Sequence, residues 1–199
     1  MHPMTAGNLR SAFGGECMAH MRYNHWASVA RREDLPEIAQ LFRAIAAAEQ
    51  VHATNHFRQL GEEAGDFLVP SMAVFGLGRT PQNLQGGIDG ETYEITEMYP
   101  AFLQVAESQG EAGAVRSFMW ALSAEKTHAV FFQRARKSAE AGQDLNLGPV
   151  QVCTVCGYTV EGDAPDPCPI CDAARDKFKT FDWRPGLEDR PEAGRGNRA

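Results

Sequence analysis

Residues 48–53 read Ala-Glu-Gln-Val-His-Ala, and residues 124–129 read Ala-Glu-Lys-Thr-His-Ala. Positions i and i+3 share one face of an α-helix, so each copy directs a carboxylate and an imidazole the same way. One Glu-x-x-His pair on a helix is usually a feature of a solvated surface. Two copies with the same flanking alanines instead predict a paired site inside the protein. Its four side chains are Glu49, His52, Glu125 and His128.

A further glutamate precedes each copy at a matching interval. From Glu16 to Glu49 the interval is 33 residues, and from Glu91 to Glu125 it is 34 residues. The residues around both copies are largely apolar, so these carboxylates are predicted to face a core, where an unpaired charge is costly. One glutamate from each of two helices plus Glu-x-x-His from each of two others is the ligand set that holds two transition-metal ions in a helical bundle. The sequence therefore predicts a di-metal site.

Four other side chains lie close to this set in the sequence. Glu94 lies three residues after Glu91 and is predicted to be a ligand, whereas Glu97 is predicted to face solvent. His56, one turn beyond the first Glu-x-x-His, is predicted either to support the site or to lie on the surface. Cys17 is predicted to be a small core residue.

Helical spacing of apolar residues defines the elements that carry these side chains. Asp34 is the predicted N-cap of the second helix, and Pro100 is predicted to kink or end the third. Residues 65–90 are broken by Gly and Pro and are predicted to form a long crossover. The fold class is therefore an all-α four-helix bundle with one long crossover, the connectivity of ferritin-like bundles. The four helices are predicted over about residues 6–32, 34–63, 89–110 and 111–141.

Four of the five cysteines form a second metal signature, C-x2-C-x11-C-x2-C. Paired C-x2-C turns aim four sulfurs at one tetrahedral centre, so in a chain without secretory features they predict a tetrathiolate metal site rather than disulfides. Spacing alone leaves iron and structural zinc both open. The four ligands are Cys153, Cys156, Cys168 and Cys171.

Composition and charge disfavour several classes of protein and divide the chain into segments. The 199 residues carry a net charge of −7 with no basic stripe, which disfavours nucleic-acid binding. Apolar runs stay below the roughly 20 residues that a membrane span needs, and the N-terminus lacks a signal-peptide core, so a cytoplasmic protein is expected. We predict a bundle over residues 1–142, a linker over 143–151, a small metal-stabilised domain over 152–182 and a disordered tail over 183–199.

Together these motifs resemble the rubrerythrin family over roughly residues 5–182. Both metal signatures occur in the order and spacing typical of that family. The segments that carry the resemblance are AFGGE at residues 12–16, RY at 22–23, the two AExxHA copies, GETYE at 90–94, MYP at 98–100 and the CxxCGY and CPxC cysteine turns.

The resemblance implies a non-haem di-iron site in the bundle, a rubredoxin-like domain holding one iron, and an enzyme that reduces hydrogen peroxide to water. By resemblance, Glu49 and Glu125 bridge the two irons, and Glu16 and Glu91 are terminal ligands. His128 would bind one iron. At the other iron, Glu94 would exchange for His52 on reduction, and Tyr23 would donate a hydrogen bond near a bridging ligand.

Electron supply and assembly follow from the same resemblance. An electron-donor protein, either a rubredoxin or an NAD(P)H-dependent reductase, is the expected partner. The fourth helix continues about 16 residues past Glu125, roughly 24 Å at 1.5 Å per residue, so the chain is expected to leave the bundle far from its own di-iron site. We therefore expect a head-to-tail homodimer in which electrons cross between subunits.

Two other functions remain open from the sequence. A ferroxidase or iron-storage protein would use the same di-iron ligands but needs no electron-delivery domain. A helical scaffold with a structural zinc ribbon would explain the cysteines but not the repeated Glu-x-x-His.

Overall fold

The computed structural model describes residues 1–61 and 63–182, so the predicted disordered tail lies outside the described residues. Within these ranges a π-helical turn, Glu94–Met98, joins the third and fourth α-helices into one continuous rod. The chain thus forms four helical rods, with a long crossover between the second and third. The α-helices are α1 (Pro3–Arg32), α2 (Pro36–Gln59), α3 (Thr80–Tyr93), α4 (Tyr99–Ser108) and α5 (Ala112–Glu140).

The start of α2 differs from the prediction. Asp34 has a left-handed φ of 60°, and Leu35 is the N-cap. The amides of Glu37 and Ile38 instead donate to the carboxylate of Asp144, at 2.8 and 3.0 Å. The prediction was wrong because the carboxylate that caps these free N–H groups comes from a distant part of the chain, which local spacing does not reveal.

The third rod begins nine residues before the predicted start, at Thr80 rather than Asp89. Gly86 and Gly87, which suggested a broken segment, lie inside α3. A Cβ on Gly86 would lie 3.0 Å from Trp26, and one on Gly87 would lie 2.9 Å from Phe132. These glycines are therefore sites of close helix packing rather than helix breaks.

Pro100 does not end the rod. It lies in the first turn of α4, directly after the π-helical turn, where a missing N–H leaves no helical hydrogen bond unmade. The extra residue in the π turn absorbs the change in hydrogen bonding, and such turns are frequent at functional sites. Glu94 is the first residue of this turn.

Two apolar clusters lie on either side of the glutamates along the bundle. One cluster includes Leu9 of α1 and Phe118 of α5, and the other includes Trp26 and Phe132 of the same two helices. Glu16 and Glu125 fall between them in sequence on α1 and α5. The carboxylates are therefore held at mid-bundle by packing above and below. No helix in the described ranges has an apolar stretch long enough to cross a bilayer.

A small antiparallel sheet follows the bundle, as predicted for a metal-stabilised domain. Its strand order is β2-β1-β3, and Val150 pairs with Glu161 on one side and Phe181 on the other. A short 3₁₀ turn precedes the last strand. The strands are β1 (Val150–Cys153), β2 (Thr159–Glu161) and β3 (Phe178–Phe181).

The linker folds back along the bundle instead of leaving it. The chain reverses at Gly142, whose φ is 71°, and Asp144 then caps α2. The amide of Leu147 donates to Glu37 at 2.8 Å, and Val150 packs against Ala44 and Ala48 of α2. The expectation that the cysteine domain lies far from its own carboxylates is therefore wrong. Contacts between the linker and α2 guide the chain back towards the middle of the bundle.

Candidate metal centres

Six of the predicted ligands converge in the bundle, in two groups whose ligand atoms lie within 4.8 Å of one another. Both groups contain Glu49 and Glu125. The first adds Glu16 and His52, and the second adds Glu91 and His128. All six side chains are at most 1% exposed.

Glu49 and Glu125 occupy the centre of the arrangement. Glu125 lies 2.8 Å from Nδ1 of His52 through one carboxylate oxygen and 2.6 Å from Nδ1 of His128 through the other. The two oxygens of Glu49 lie 2.9 Å from Nδ1 of His52 and 3.4 Å from Nδ1 of His128. Each central carboxylate therefore directs one oxygen into each group, which is the placement that a bridging ligand needs.

The cysteine domain fixes the tautomers of both histidines. Nε2 of His52 lies 3.1 Å from the carbonyl oxygen of Cys156, an atom that can only accept, so Nε2 carries the proton. Nε2 of His128 donates to the hydroxyl of Thr159 at 3.0 Å, and that hydroxyl donates onward to the carbonyl of Gly157. The neutral form of each histidine therefore has its Nδ1 lone pair facing the carboxylates, as metal coordination requires.

The carboxylates fit a pair of bound cations. Glu16 and Glu91 each have one fully buried oxygen without a hydrogen-bond partner among the described residues. Burial, reinforced by the charges of Glu49 and Glu125, raises the pKa of Glu16 and Glu91 well above the ordinary range. Two divalent cations would satisfy these oxygens and remove the repulsion.

The two histidines balance only part of this negative charge. Burial disfavours their protonation, but the charges and hydrogen bonds of Glu125 and Glu49 outweigh it and raise the pKa of both His52 and His128. Burial would likewise raise the pKa of Glu125, yet the two imidazoles bring that pKa below its usual value. Glu125 is therefore the carboxylate most firmly held in its charged form.

A tyrosine supports each outer glutamate. Tyr23 donates to Glu91 at 2.7 Å, and Tyr99 donates to Glu16. Tyr23 therefore contacts an outer carboxylate, whereas the resemblance placed it near a bridging one. Burial, followed by the charge of the glutamate that each tyrosine contacts, raises the pKa of both hydroxyls, so both keep their protons.

Glu94 lies beside the site but in neither ligand group. It is 9% exposed, and burial followed by the charges of Glu16 and Glu125 raises its pKa. The ligand group that contains Glu16 includes His52 and not Glu94. This is one of the two arrangements implied by an exchange of Glu94 for His52, and the exchange itself stays a prediction. Glu97 is exposed, as predicted.

The four cysteine sulfurs meet in the second domain. Sγ of Cys153 lies 3.6 Å from Sγ of Cys171, and Sγ of Cys156 lies 3.6 Å from Sγ of Cys168. A tetrahedral metal with sulfur bonds of about 2.3 Å spaces its sulfurs roughly 3.8 Å apart. The spacing therefore fits one metal ion.

Backbone amides close the turns around this centre. The amide of Gly157 donates to the carbonyl of Cys153 at 2.9 Å rather than to a sulfur. The amide of Tyr158 does point at Sγ of Cys156, at 3.5 Å. A hydrogen bond with Cys156, acting against burial, lowers the pKa of Cys153 to about 5, whereas the same hydrogen bond and burial raise the pKa of Cys156.

Several residues that join the two centres carry no motif that predicts their role. Trp120 of α5 packs against the cysteine cluster, and Asn55 of α2 donates to the carbonyl of Val155 at 2.8 Å. Thr159 supports His128 as described above. Asn55 lies three residues after His52, which places it on the same helix face, and that was the one local signal available.

The fold and the two centres define a ferritin-like helical bundle with a di-metal carboxylate and histidine site and an attached four-cysteine metal domain. The family model described as Rubrerythrin matches residues 7–136, and the model described as Rubrerythrin, rubredoxin-like domain matches residues 151–179. The chain belongs to the rubrerythrin family.

Individual relatives agree with this assignment. Rubrerythrin-2 of Clostridium acetobutylicum is 49% identical over 178 residues, covering 89% of this chain and 97% of its own length. Nigerythrin of Nitratidesulfovibrio vulgaris is 34% identical over 177 residues, covering 89% of this chain and 86% of its own. A solved structure of fully reduced, all-ferrous nigerythrin is similar with a TM-score of 0.78, at 34% identity over 89% of this chain and 86% of that one.

Proposed function

We propose that this chain is a rubrerythrin-type peroxidase that reduces hydrogen peroxide to water at the di-iron site, with electrons delivered through its rubredoxin-like domain. The observation that carries the proposal is direct contact between the two centres. His52 bonds to the backbone of Cys156, and His128 bonds to Thr159. An iron-storage protein has no use for this contact.

We assign the di-iron ligands to the six converging side chains, with Glu94 as the seventh through exchange with His52. Bound ferrous ions would supply the two electrons that, with two protons, convert one hydrogen peroxide into two waters. The third iron would be held by the four cysteines. The six converging side chains are Glu16, Glu49, His52, Glu91, Glu125 and His128.

The protein's own residues would handle protons and exclude water. Tyr23 and Tyr99 keep hydroxyl protons next to Glu91 and Glu16 and are the nearest neutral donors to the site. The near-complete burial of the ligands restricts water, so peroxide would bind in a dry, charged pocket. His52 would link the carboxylates to the Cys156 carbonyl.

Electrons would enter at the exposed edge of the cysteine centre. Cys171 is partly exposed, whereas Cys153, Cys156 and Cys168 are buried. A rubredoxin or an NAD(P)H-dependent reductase is the proposed donor. Because the two centres already touch within one chain, electron transfer does not require the predicted head-to-tail homodimer, which remains a separate prediction.

Steady-state turnover with two variants tests the proposal. Glu125→Ala should abolish peroxide reduction while keeping the red colour of a ferric four-cysteine site. Cys168→Ser should allow one oxidation of the chemically reduced di-iron site by peroxide but stop turnover from a rubredoxin-linked NAD(P)H donor. Full turnover in either variant would contradict the proposal. A colourless protein whose cysteine site holds zinc would favour the scaffold function instead.

A further inference from the structure

His56 is a fully buried histidine that belongs to neither ligand group. It lies on α2, one turn after His52. Its Nδ1 is 2.9 Å from the hydroxyl of Ser117 on α5, and its Nε2 is 2.9 Å from the hydroxyl of Tyr99 on α4. Tyr99 in turn contacts Glu16. A continuous polar chain therefore runs from α5 to an outer carboxylate of the di-iron site.

The chemistry of the groups fixes the direction of this chain. An ionised Glu16 can only accept, so the hydroxyl of Tyr99 donates to it. The oxygen of Tyr99 is then the acceptor for the proton on Nε2 of His56. The neutral imidazole has no proton on Nδ1, so Ser117 donates to that atom. Each group in the order Ser117, His56, Tyr99 and Glu16 donates to the next.

The other half of the di-iron site lacks such support. Tyr23 donates to Glu91, but no side chain in residues 1–61 and 63–182 donates to the oxygen of Tyr23. The ring of Tyr23 instead packs against other aromatic rings, including those of Phe42 and Phe132 at centroid distances of 6.1 and 5.1 Å. The two outer glutamates are therefore held by equivalent tyrosines that differ in what lies behind them.

We propose that His56 is a positioning residue that orients the hydroxyl of Tyr99 towards Glu16 and so holds Glu16 in place as a ligand of one iron. The inference rests on the proposed ligand role of Glu16. Without a donor behind it, the hydroxyl of Tyr99 could rotate away from Glu16, and one iron site would weaken while the other stayed intact.

A pair of polar substitutions separates the two contacts of His56. The amide of His56→Gln reaches about the position of Nε2 and can still donate to Tyr99. The shorter side chain of His56→Asn reaches about the position of Nδ1 and meets Ser117 only. Both variants keep a polar group in the pocket, and helical circular dichroism reports whether each one folds.

Co²⁺ titration of the metal-depleted full-length chain provides the readout. Bound cobalt has weak visible bands at carboxylate and imidazole ligands and intense bands at thiolates, so the two centres are read separately. Loss of a group that orients a ligand typically weakens metal binding about 10-fold to 100-fold. We expect that loss at one of the two carboxylate-bound ions in His56→Asn, with the second unchanged, and near-normal binding of both in His56→Gln.

A double variant tests whether His56 acts through Tyr99. Tyr99→Phe should weaken the same ion, and adding His56→Asn should cause no further loss. Additive losses, equal weakening of both ions, or identical behaviour of His56→Asn and His56→Gln would overturn the inference. Glu16→Ala is the reference. If it still binds both ions normally, the proposed ligand role of Glu16 fails instead.

Discussion

Gly157 occupies the closest approach between the two centres. Its φ of 83° is left-handed, and a Cβ at this position would collide with the imidazole of His52. Gly162 in the same domain has a similar φ of 89° but no atom within 4 Å of the equivalent Cβ. The two glycines therefore share a backbone requirement, and only Gly157 is also needed for contact with the di-iron site.

This difference predicts different effects of alanine. Either substitution should cost about 1–2 kcal/mol of folding free energy, because a Cβ strains the left-handed backbone. Only Gly157→Ala should also push the cysteine domain away from His52, and a displacement of about 1 Å can slow a reaction up to roughly 100-fold. Urea denaturation and steady-state peroxide turnover measure the two effects. Equal turnover in Gly157→Ala and Gly162→Ala would show that the His52 contact does not carry electrons.

Because the buried site binds either protons or metal, the free energy of unfolding should depend on pH in opposite directions with and without metal. Most perturbed groups here have a pKa above the ordinary value. The metal-free folded chain therefore binds more protons than the unfolded chain, and its free energy of unfolding should fall as pH rises above roughly 4.3. His56 and Cys153 oppose this trend, because burial lowers the pKa of His56 to about 3 and a hydrogen bond with Cys156 lowers that of Cys153 to about 5, but five carboxyl and imidazole groups act the other way. The carboxyl and imidazole groups with raised pKa are Glu16, Glu91, Glu94, His52 and His128.

Bound metal should reverse the change of unfolding free energy with pH, because cations displace those protons and bind more tightly as pH rises. Urea denaturation of metal-free and iron-loaded protein at several values between about pH 5 and pH 7 measures both slopes. We expect the metal-free protein to lose stability over this range and the loaded protein to gain it. Parallel curves would contradict the assignment of these groups as metal ligands.

Helix α3 depends on glycines for packing, and a matched pair of substitutions tests this. Gly87→Ala should destabilise the fold by about 1–3 kcal/mol, because its Cβ would overlap the ring of Phe132. Gly7→Ala in α1 meets no atom within 4 Å and should stabilise by up to about 1 kcal/mol through helix propensity. Thermal unfolding measures both. Stabilisation by Gly87→Ala would mean that α3 packs less closely on Phe132.

The same helix marks the limit of what spacing along the chain can predict. Periodicity located α1, α2 and α5 within a few residues, because their apolar faces repeat regularly. It failed at the start of α3, where Gly86 and Gly87 are read locally as breakers but serve partners on α1 and α5. Periodicity also did not predict the cap of α2, because the carboxylate that accepts from its first amides belongs to Asp144.

The metal centres were more predictable than the fold around them. Six di-iron side chains and four cysteines could be selected because ligand chemistry restricts residue type and helical spacing restricts position. Tyr99, Thr159 and Trp120 could not be assigned roles from spacing. Their contacts with the sites depend on how the rods and the small domain pack, and no local pattern encodes that packing.

The path of the linker bears on the electron route that we propose. The turn at Gly142 and the cap that Asp144 provides send the chain back along α2, so one chain contains both centres in contact. Geometry within the chain thus favours the proposed electron transfer in cis, whereas the length of α5 and the family resemblance had suggested transfer between subunits.

Mixed chains distinguish the two routes. Glu125→Ala and Cys168→Ser chains are each expected to be inactive, and subunit exchange would combine them in one assembly. With transfer in cis, neither chain holds two working centres, so we expect no recovered turnover in a confirmed mixed population. Recovery of part of the activity would show that the cysteine centre of one chain serves the di-iron site of another.

The most direct test of the central claim follows a single encounter with peroxide. Fully reduced protein is mixed rapidly and without oxygen with one equivalent of hydrogen peroxide, and the red colour of the ferric four-cysteine site is followed in time. The colour would mark one electron passing from the cysteine centre to the di-iron site after peroxide has taken two electrons there. At protein concentrations where the encounter with peroxide is not limiting, we expect the colour to develop at a rate independent of protein concentration, and we expect Glu125→Ala not to develop it at that rate. Equally fast colour in Glu125→Ala would mean that peroxide oxidises the cysteine centre directly, which would contradict the account.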